Sequence, residues 1–215
     1  MDLETTYIWK IHNFKKVNYL TTHPVLMKLK ILIILLSIVT LHSCNKIINC
    51  AIETTEGTIL VELYSKKAPI TVSNFMKYVD AGLYTNSSFF SVTTKENETA
   101  RDIKIEVIQG GDLSEEKDFP AIEIETTDKT GITHVDGTIS MARIGPNSAK
   151  SSFFICINEQ PALNFSGKRN PDGFGFAAFG KVIKRMDVVR KIQSQENKEQ
   201  LLVKPITIQS IKRIN

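Results

Sequence analysis

This sequence predicts a mainly β domain, a barrel or a sandwich with two helices, and three observations predict it. Short runs of alternating apolar and polar residues recur from about Ala51 to the C-terminus, turn residues separate them, and two segments carry a helical period. Many short strands with few helices fit either architecture, and two helices are enough to plug the ends of a barrel.

The elements follow in order. The stretch "AIETTEGTILVELY" is a hairpin with Glu56 and Gly57 at its turn, and Ile59, Val61 and Leu63 share one face. The next, "APITVSNFMKYVDAG", is a helix. Pro69 suits its first turn, Val72, Phe75, Met76 and Val79 recur at i, i+3, i+4 and i+7, and Gly82 can close it. Strands are expected over 89–92, 104–109, 138–143, 153–158 and 178–183, with a last one in "PITIQSIKRI". A second helix falls on "MDVVRKIQ", where Met186, Val189 and Ile192 are three apart. The polar runs "TTKENETARD" and "QSQENKEQ" read as surface loops, the first too mobile to fix a side chain cheaply.

At 215 residues, 42% hydrophobic and 23% charged, the chain is globular in composition, with room for one domain and an appendage. A net charge of +4, scattered along the chain, gives no basis for a nucleic-acid partner. The three cysteines form neither a disulfide framework nor a metal site: Cys44 and Cys50 belong to the appendage, and Cys156, inside "FFICI", reads as a buried core thiol. Beyond Met27 the histidines are His42 and His134, too few to hold zinc.

The appendage is "MKLKILIILLSIVTLHSC", a basic start followed by an apolar run too short for the roughly 20 residues of a membrane span. It reads as a signal peptide over 27–43. "LHSC" resembles a bacterial lipobox, which makes Cys44 a lipidated first residue and 44–50 an anchor and tether to a domain over 51–215. A plain secretory signal or an uncleaved anchor is the alternative. Residues 1–26 then stand upstream of the expected start at Met27, unless they form a genuine extension.

Read together, "ITVSNFMKYVDAGLY", "IEVIQGGD", "GTISMARIGPNSAKSSFFICI", "PALNF" and "GFAAFGKVIKRMDVVRKI" resemble the cyclophilins, the peptidyl-prolyl cis-trans isomerases. The resemblance covers about Ala51 to Ile214 and implies a closed eight-stranded antiparallel barrel capped by two helices, with no cofactor and no metal. The chemistry it implies is rotation about an X-Pro bond, opposed by a barrier of about 18–20 kcal/mol because amide resonance must be broken. In the family an Arg donates toward the pyramidalising prolyl nitrogen, a Gln and backbone groups hold the carbonyl side, and an apolar pocket grips the ring.

Carried onto this chain, the resemblance makes Gln109 the family's Gln, with Gly110 and Gly111 turning the backbone beside it. Ala142 leaves room for the substrate backbone, Phe154 contacts the ring, Leu163 lies at the pocket edge, and Phe153 is the core member of its pair. The departures are as informative. Where the family reads Phe-His-Arg-Val this chain reads "FFSV", so Ser91 occupies the catalytic Arg position, and a hydroxyl supplies neither fixed charge nor forked donors. Glu106 and Val107 replace a common Phe and Met, Phe176 a His, Ala162 a Trp and Ser152 a Gln. Val107 and Phe176 remain candidates for the pocket wall.

A bacterial subgroup is closer still, sharing the long loop before "KIEVIQGG" and the phrase "RNPDGFGFAAFG"; it carries Phe-Tyr-Arg where "FFS" stands here. Arg101 in the loop and Arg143 beside Ala142 are the candidates to return a guanidinium to the site. The expectation is a monomeric isomerase of reduced rate, lipid-anchored in a bacterial cell envelope, facing the periplasm and acting on proline-containing segments of exported proteins. The rival is a non-catalytic module that holds proline segments on the same scaffold.

Overall fold

The structure, a computed structural model, describes residues 47–111 and 113–214. The expected extension over 1–26, the signal over 27–43 and Cys44 lie outside the described residues.

The described chain begins with the hairpin of β1 (Ile47–Thr54) and β2 (Gly57–Tyr64). Its inward side chains are those the alternation names, with Ile59, Val61 and Leu63 all fully buried. Strand β1 begins at Ile47, inside the stretch expected to be a tether. Cys50 is therefore a core thiol paired opposite Val61, and burial pushes its pKa up to about 11.

Helix α1 (Pro69–Asp80) follows, burying Val72, Phe75, Met76 and Val79 as its period requires. Gly82, at φ +66°, ends it, with the Gly82 and Leu83 amides returning to the Val79 and Tyr78 carbonyls. No local side chain caps its start. The Glu125 carboxylate does so from a distant loop, accepting from the Ile70 and Thr71 amides at 3.2 and 2.7 Å, which places negative charge at the positive end of the helix.

The remaining strands are β3 (Ser87–Thr93), β4 (Val107–Gly110), β5 (Thr138–Met141), β6 (Phe153–Cys156), β7 (Ala177–Lys184), β8 (Asn197–Lys198) and β9 (Leu201–Ile214). They pair antiparallel in the order β1-β2-β7-β5-β6-β4-β3-β9, and β9 returns to β1, closing an eight-stranded barrel. Closure removes the free edges. Helix α3 (Met186–Gln193) packs Val188, Val189 and Ile192 inward, and α2 (Thr127–Thr130) is a single polar turn too short to carry an apolar period. The core is strongly aromatic, with Phe75 against Tyr84, Phe153 and Phe179 at centroid distances of 5.2–5.5 Å.

Strand β4 is shorter than its alternation implies, because the Ile105 amide donates to the Glu98 carboxylate at 2.9 Å instead of to a neighbouring strand. Strand β6 stops at Cys156, two residues before Asn158 turns the chain at φ +59°. Between α3 and β9 the polar run is a hairpin rather than a loose loop: β8 pairs with the start of β9 through Glu199 and Gln200, both at positive φ.

Candidate functional site on the outer barrel wall

The candidate residues gather on the outside of the barrel. Ile108 and Phe153 point into the core, so their strand neighbours Gln109 and Phe154 point out. The register then aligns three strands: Ser91 pairs with Gln109, and Gln109 with Phe154. Phe154 belongs to a second apolar cluster with Ile105, Val107, Cys156 and Leu163, against which Ala142 and Phe176 pack. Phe176 meets Phe154 edge-on, at 5.3 Å and 90°. Cys156 is buried as expected, but in this outer cluster rather than in the barrel core.

Gln109 is held by its neighbours. Ser152 Oγ donates to the Gly110 carbonyl at 3.1 Å, so its lone pairs accept from Gln109 Nε2, also at 3.1 Å. The side-chain carbonyl oxygen and the second amide hydrogen of Gln109 have no hydrogen-bond partner among the described residues. The two glycines earn their places for different reasons. A Cβ on Gly110 would meet Phe89 at 2.8 Å, and Gly111 turns at φ +81°.

Beneath Phe154 lies His134, which the sequence offered only as a lone histidine. Its ring stacks on Phe154 at 6.0 Å and 16° and is 1% exposed. Asn164 Oδ1 accepts from the His134 amide at 3.0 Å, and because the same oxygen lies 2.8 Å from Nδ1, Nδ1 carries the proton. Nε2 then accepts from the Ser140 hydroxyl at 3.0 Å. Burial holds its pKa down at about 4, so the ring is neutral near pH 7. No spacing signals this trio, since Asn164 is 30 residues further along the chain.

Neither candidate guanidinium reaches Ser91. Arg143, read as a pocket residue, is committed elsewhere: Nε donates to the Gly175 carbonyl at 2.7 Å and both terminal nitrogens to Asp172 at 2.7 and 2.8 Å. Its side chain is 1% exposed and lies 5.2 Å over the Phe176 ring, so it braces that ring. Arg101 is exposed, with its guanidinium 3.5 Å from the Arg169 carbonyl.

The polar insert that carries Arg101 is tied down, against the expectation of a mobile loop. Glu98 is buried and ion-paired with Arg169, whose other terminal nitrogen donates to the Ile103 carbonyl at 2.6 Å. Arg169 also donates its backbone amide to Ala162, next to Leu163. A carboxylate inside a run of polar letters reads as solvated, and only its partner 71 residues away says otherwise.

With this geometry in place, the comparisons with known proteins agree with it. A family profile described as "Cyclophilin type peptidyl-prolyl cis-trans isomerase/CLD" matches residues 49–213. The chain is 36% identical to a peptidyl-prolyl cis-trans isomerase of Acinetobacter baylyi over 188 residues, covering 81% of this chain and 92% of that one. It is 35% identical to peptidyl-prolyl cis-trans isomerase B of Escherichia coli over 143 residues, 65% of this chain and 80% of that one. A crystal structure of a Cryptosporidium parvum cyclophilin superposes with a TM-score of 0.64 at 22% identity, over 79% of this chain and 99% of that one. An eight-stranded closed barrel with Gln109 and Phe154 in register on its outer wall, matched along nearly all of its length by the family profile, places this chain in the cyclophilin-type peptidyl-prolyl cis-trans isomerase family.

Proposed function

We propose that the chain is a peptidyl-prolyl isomerase that works slowly. The observation that carries this reading is the row of Ser91, Gln109 and Phe154, which keeps the family's ring-contacting aromatic and carbonyl-side amide but puts a hydroxyl where the family has a guanidinium. Phe154 and Phe176 receive the prolyl ring, and Gln109 orients the preceding carbonyl. Twisting the amide requires no nucleophile, so positioning alone lowers the barrier. A missing transition-state donor costs about 100- to 1000-fold in rate, which leaves weak turnover rather than none. The relative crystallised in the presence of the dipeptide Ala-Pro supports a proline-containing ligand.

Both arginines near the site being engaged with other groups also favours a second reading, a groove that holds proline segments without turning them over. A prolyl-isomerisation assay on the purified full chain separates the two, because the binding module leaves the uncatalysed rate unchanged. In either case Phe154→Ala should weaken proline-peptide binding about tenfold, by removing apolar contact with the ring, while the protein still folds because Phe154 lies outside the main core. Gln109→Ala should lower turnover or binding through the lost amide. An unfolded Phe154→Ala protein together with a silent Gln109→Ala would make both residues structural.

The proposed setting is a bacterial cell envelope, where the protein would be anchored through Cys44 and assist exported proteins. The motif "LHSC" after a short apolar run supports it. Cys44→Ser should release the protein from the membrane fraction or leave the precursor unprocessed, since acyl chains add about 0.8 kcal/mol of membrane affinity per buried methylene. A freely soluble wild type with another mature N-terminus overturns the anchor.

A further inference from the structure

We propose that Leu201, with Val203 beside it, forms an apolar subsite at the far end of the groove and takes an apolar side chain of the same peptide whose proline lies against Phe154. This rests on the isomerase reading of the site and adds a specificity determinant to it.

The register makes the argument. Leu201 pairs with Ser91, Ser91 with Gln109 and Gln109 with Phe154, so four side chains form one row across β9, β3, β4 and β6. Cross-strand partners share a face. Leu202, between the two apolar residues, points inward and is 6% exposed, whereas Leu201 and Val203 are 59% and 60% exposed on the outer side. Single exposed apolar residues need no explanation, but Leu201 lies in the row itself and Val203, two residues on, shares its outer face.

The distance suits a peptide. Strands lie about 4.8 Å apart, so the row from Leu201 to Phe154 spans about 14 Å. An extended chain advances about 3.3 Å per residue, which puts the side chain that reaches Leu201 about four residues from the proline. Ser91 between them is short, so the row dips there instead of being walled off.

The hairpin also presents Leu201 in a fixed position. The Val92 amide donates to the Gln200 carbonyl at 2.8 Å, the Val203 amide to the Glu196 carbonyl at 3.0 Å, and Asn97 of the insert to Asn197 Oδ1 at 2.9 Å. Little ordering is then lost when a ligand covers it. The insert thus braces both ends of the groove, Asn97 at the hairpin and Glu98 at the loop carrying Leu163.

The test is a fluorescence-anisotropy titration of the full chain with Ala-Pro peptides carrying Leu or Ser three to five residues from the proline, on either side. For the wild type, Leu at one of these positions should tighten binding about tenfold over Ser. Leu201→Ser should cut that preference to about twofold or less, while Ile183→Ser, an exposed apolar residue of β7, should keep it. A preference unchanged in Leu201→Ser, or absent from the wild type, overturns the subsite. If the Ser peptides bind no better than counterparts with Pro replaced by Ala, the isomerase reading fails and the subsite with it.

Discussion

Ser91→Arg is expected to raise kcat/KM for prolyl isomerisation by about 100-fold, the scale on which one preorganised donor acts on a developing transition state. The position is right for it. Ser91 pairs directly with Gln109 on the outer wall, one strand from Phe154, and is only partly buried, so a longer side chain can lie across the row. Arg101→Ala should change turnover less than twofold, because its guanidinium faces the Arg169 carbonyl and not the site. The gain should fall on kcat more than on KM, since the new hydrogen bond forms as the prolyl nitrogen pyramidalises. A wild type as fast as Ser91→Arg would show that this chain dispenses with the donor and would overturn the mechanism.

Lowering the pH from 6.5 to 4 is expected to cost about 3 kcal/mol of folding stability through His134 alone. In the folded protein burial holds its pKa at about 4, against 6.5 as the ordinary value. Between these values the unfolded chain binds a proton that the folded chain refuses. The contribution is therefore complete above pH 6.5 and is lost as the pH falls to 4. Carboxylates with lowered pKa, among them Glu53, Asp80 and Asp172, lose their contributions mainly below this window. The groups facing the ring are Asn164, Ser140 and Phe154, none of which titrates here. Denaturant titrations across the window should show the loss in wild type, and NMR of the imidazole should place its midpoint near 4. A midpoint near 6.5, or the same loss in His134→Gln, would remove His134 as the cause.

The barrel was legible because each of its signals is local. Alternation in "TILVELY", the helical period from Val72 to Val79 and Gly82 at the helix end depend on neighbours within a few residues, and each proved to do what its pattern implies. The ends of strands were less legible. Strand β4 starts late because Glu98 takes the Ile105 amide, a competition that periodicity does not register. Ile105, inside the strand expected over 104–109, lies before β4 and lines the outer cluster.

By itself the sequence determined that the domain is mainly β and resembles this family, that Ile59, Val61 and Leu63 share one face, that Phe153 rather than Phe154 is the core member of its pair, and that Ser91 breaks the family's pattern. Those properties are written in residue order and residue type. Only the tertiary structure decided that the insert is braced rather than loose, that Arg143 and Arg101 are engaged elsewhere, that His134 stacks on Phe154, and that Leu201 pairs with Ser91. Each of these is a contact between residues far apart in sequence. An isolated charge or imidazole in a string of letters carries no mark of its partner, and burial, which fixes whether it is solvated or paired, exists only after the barrel closes.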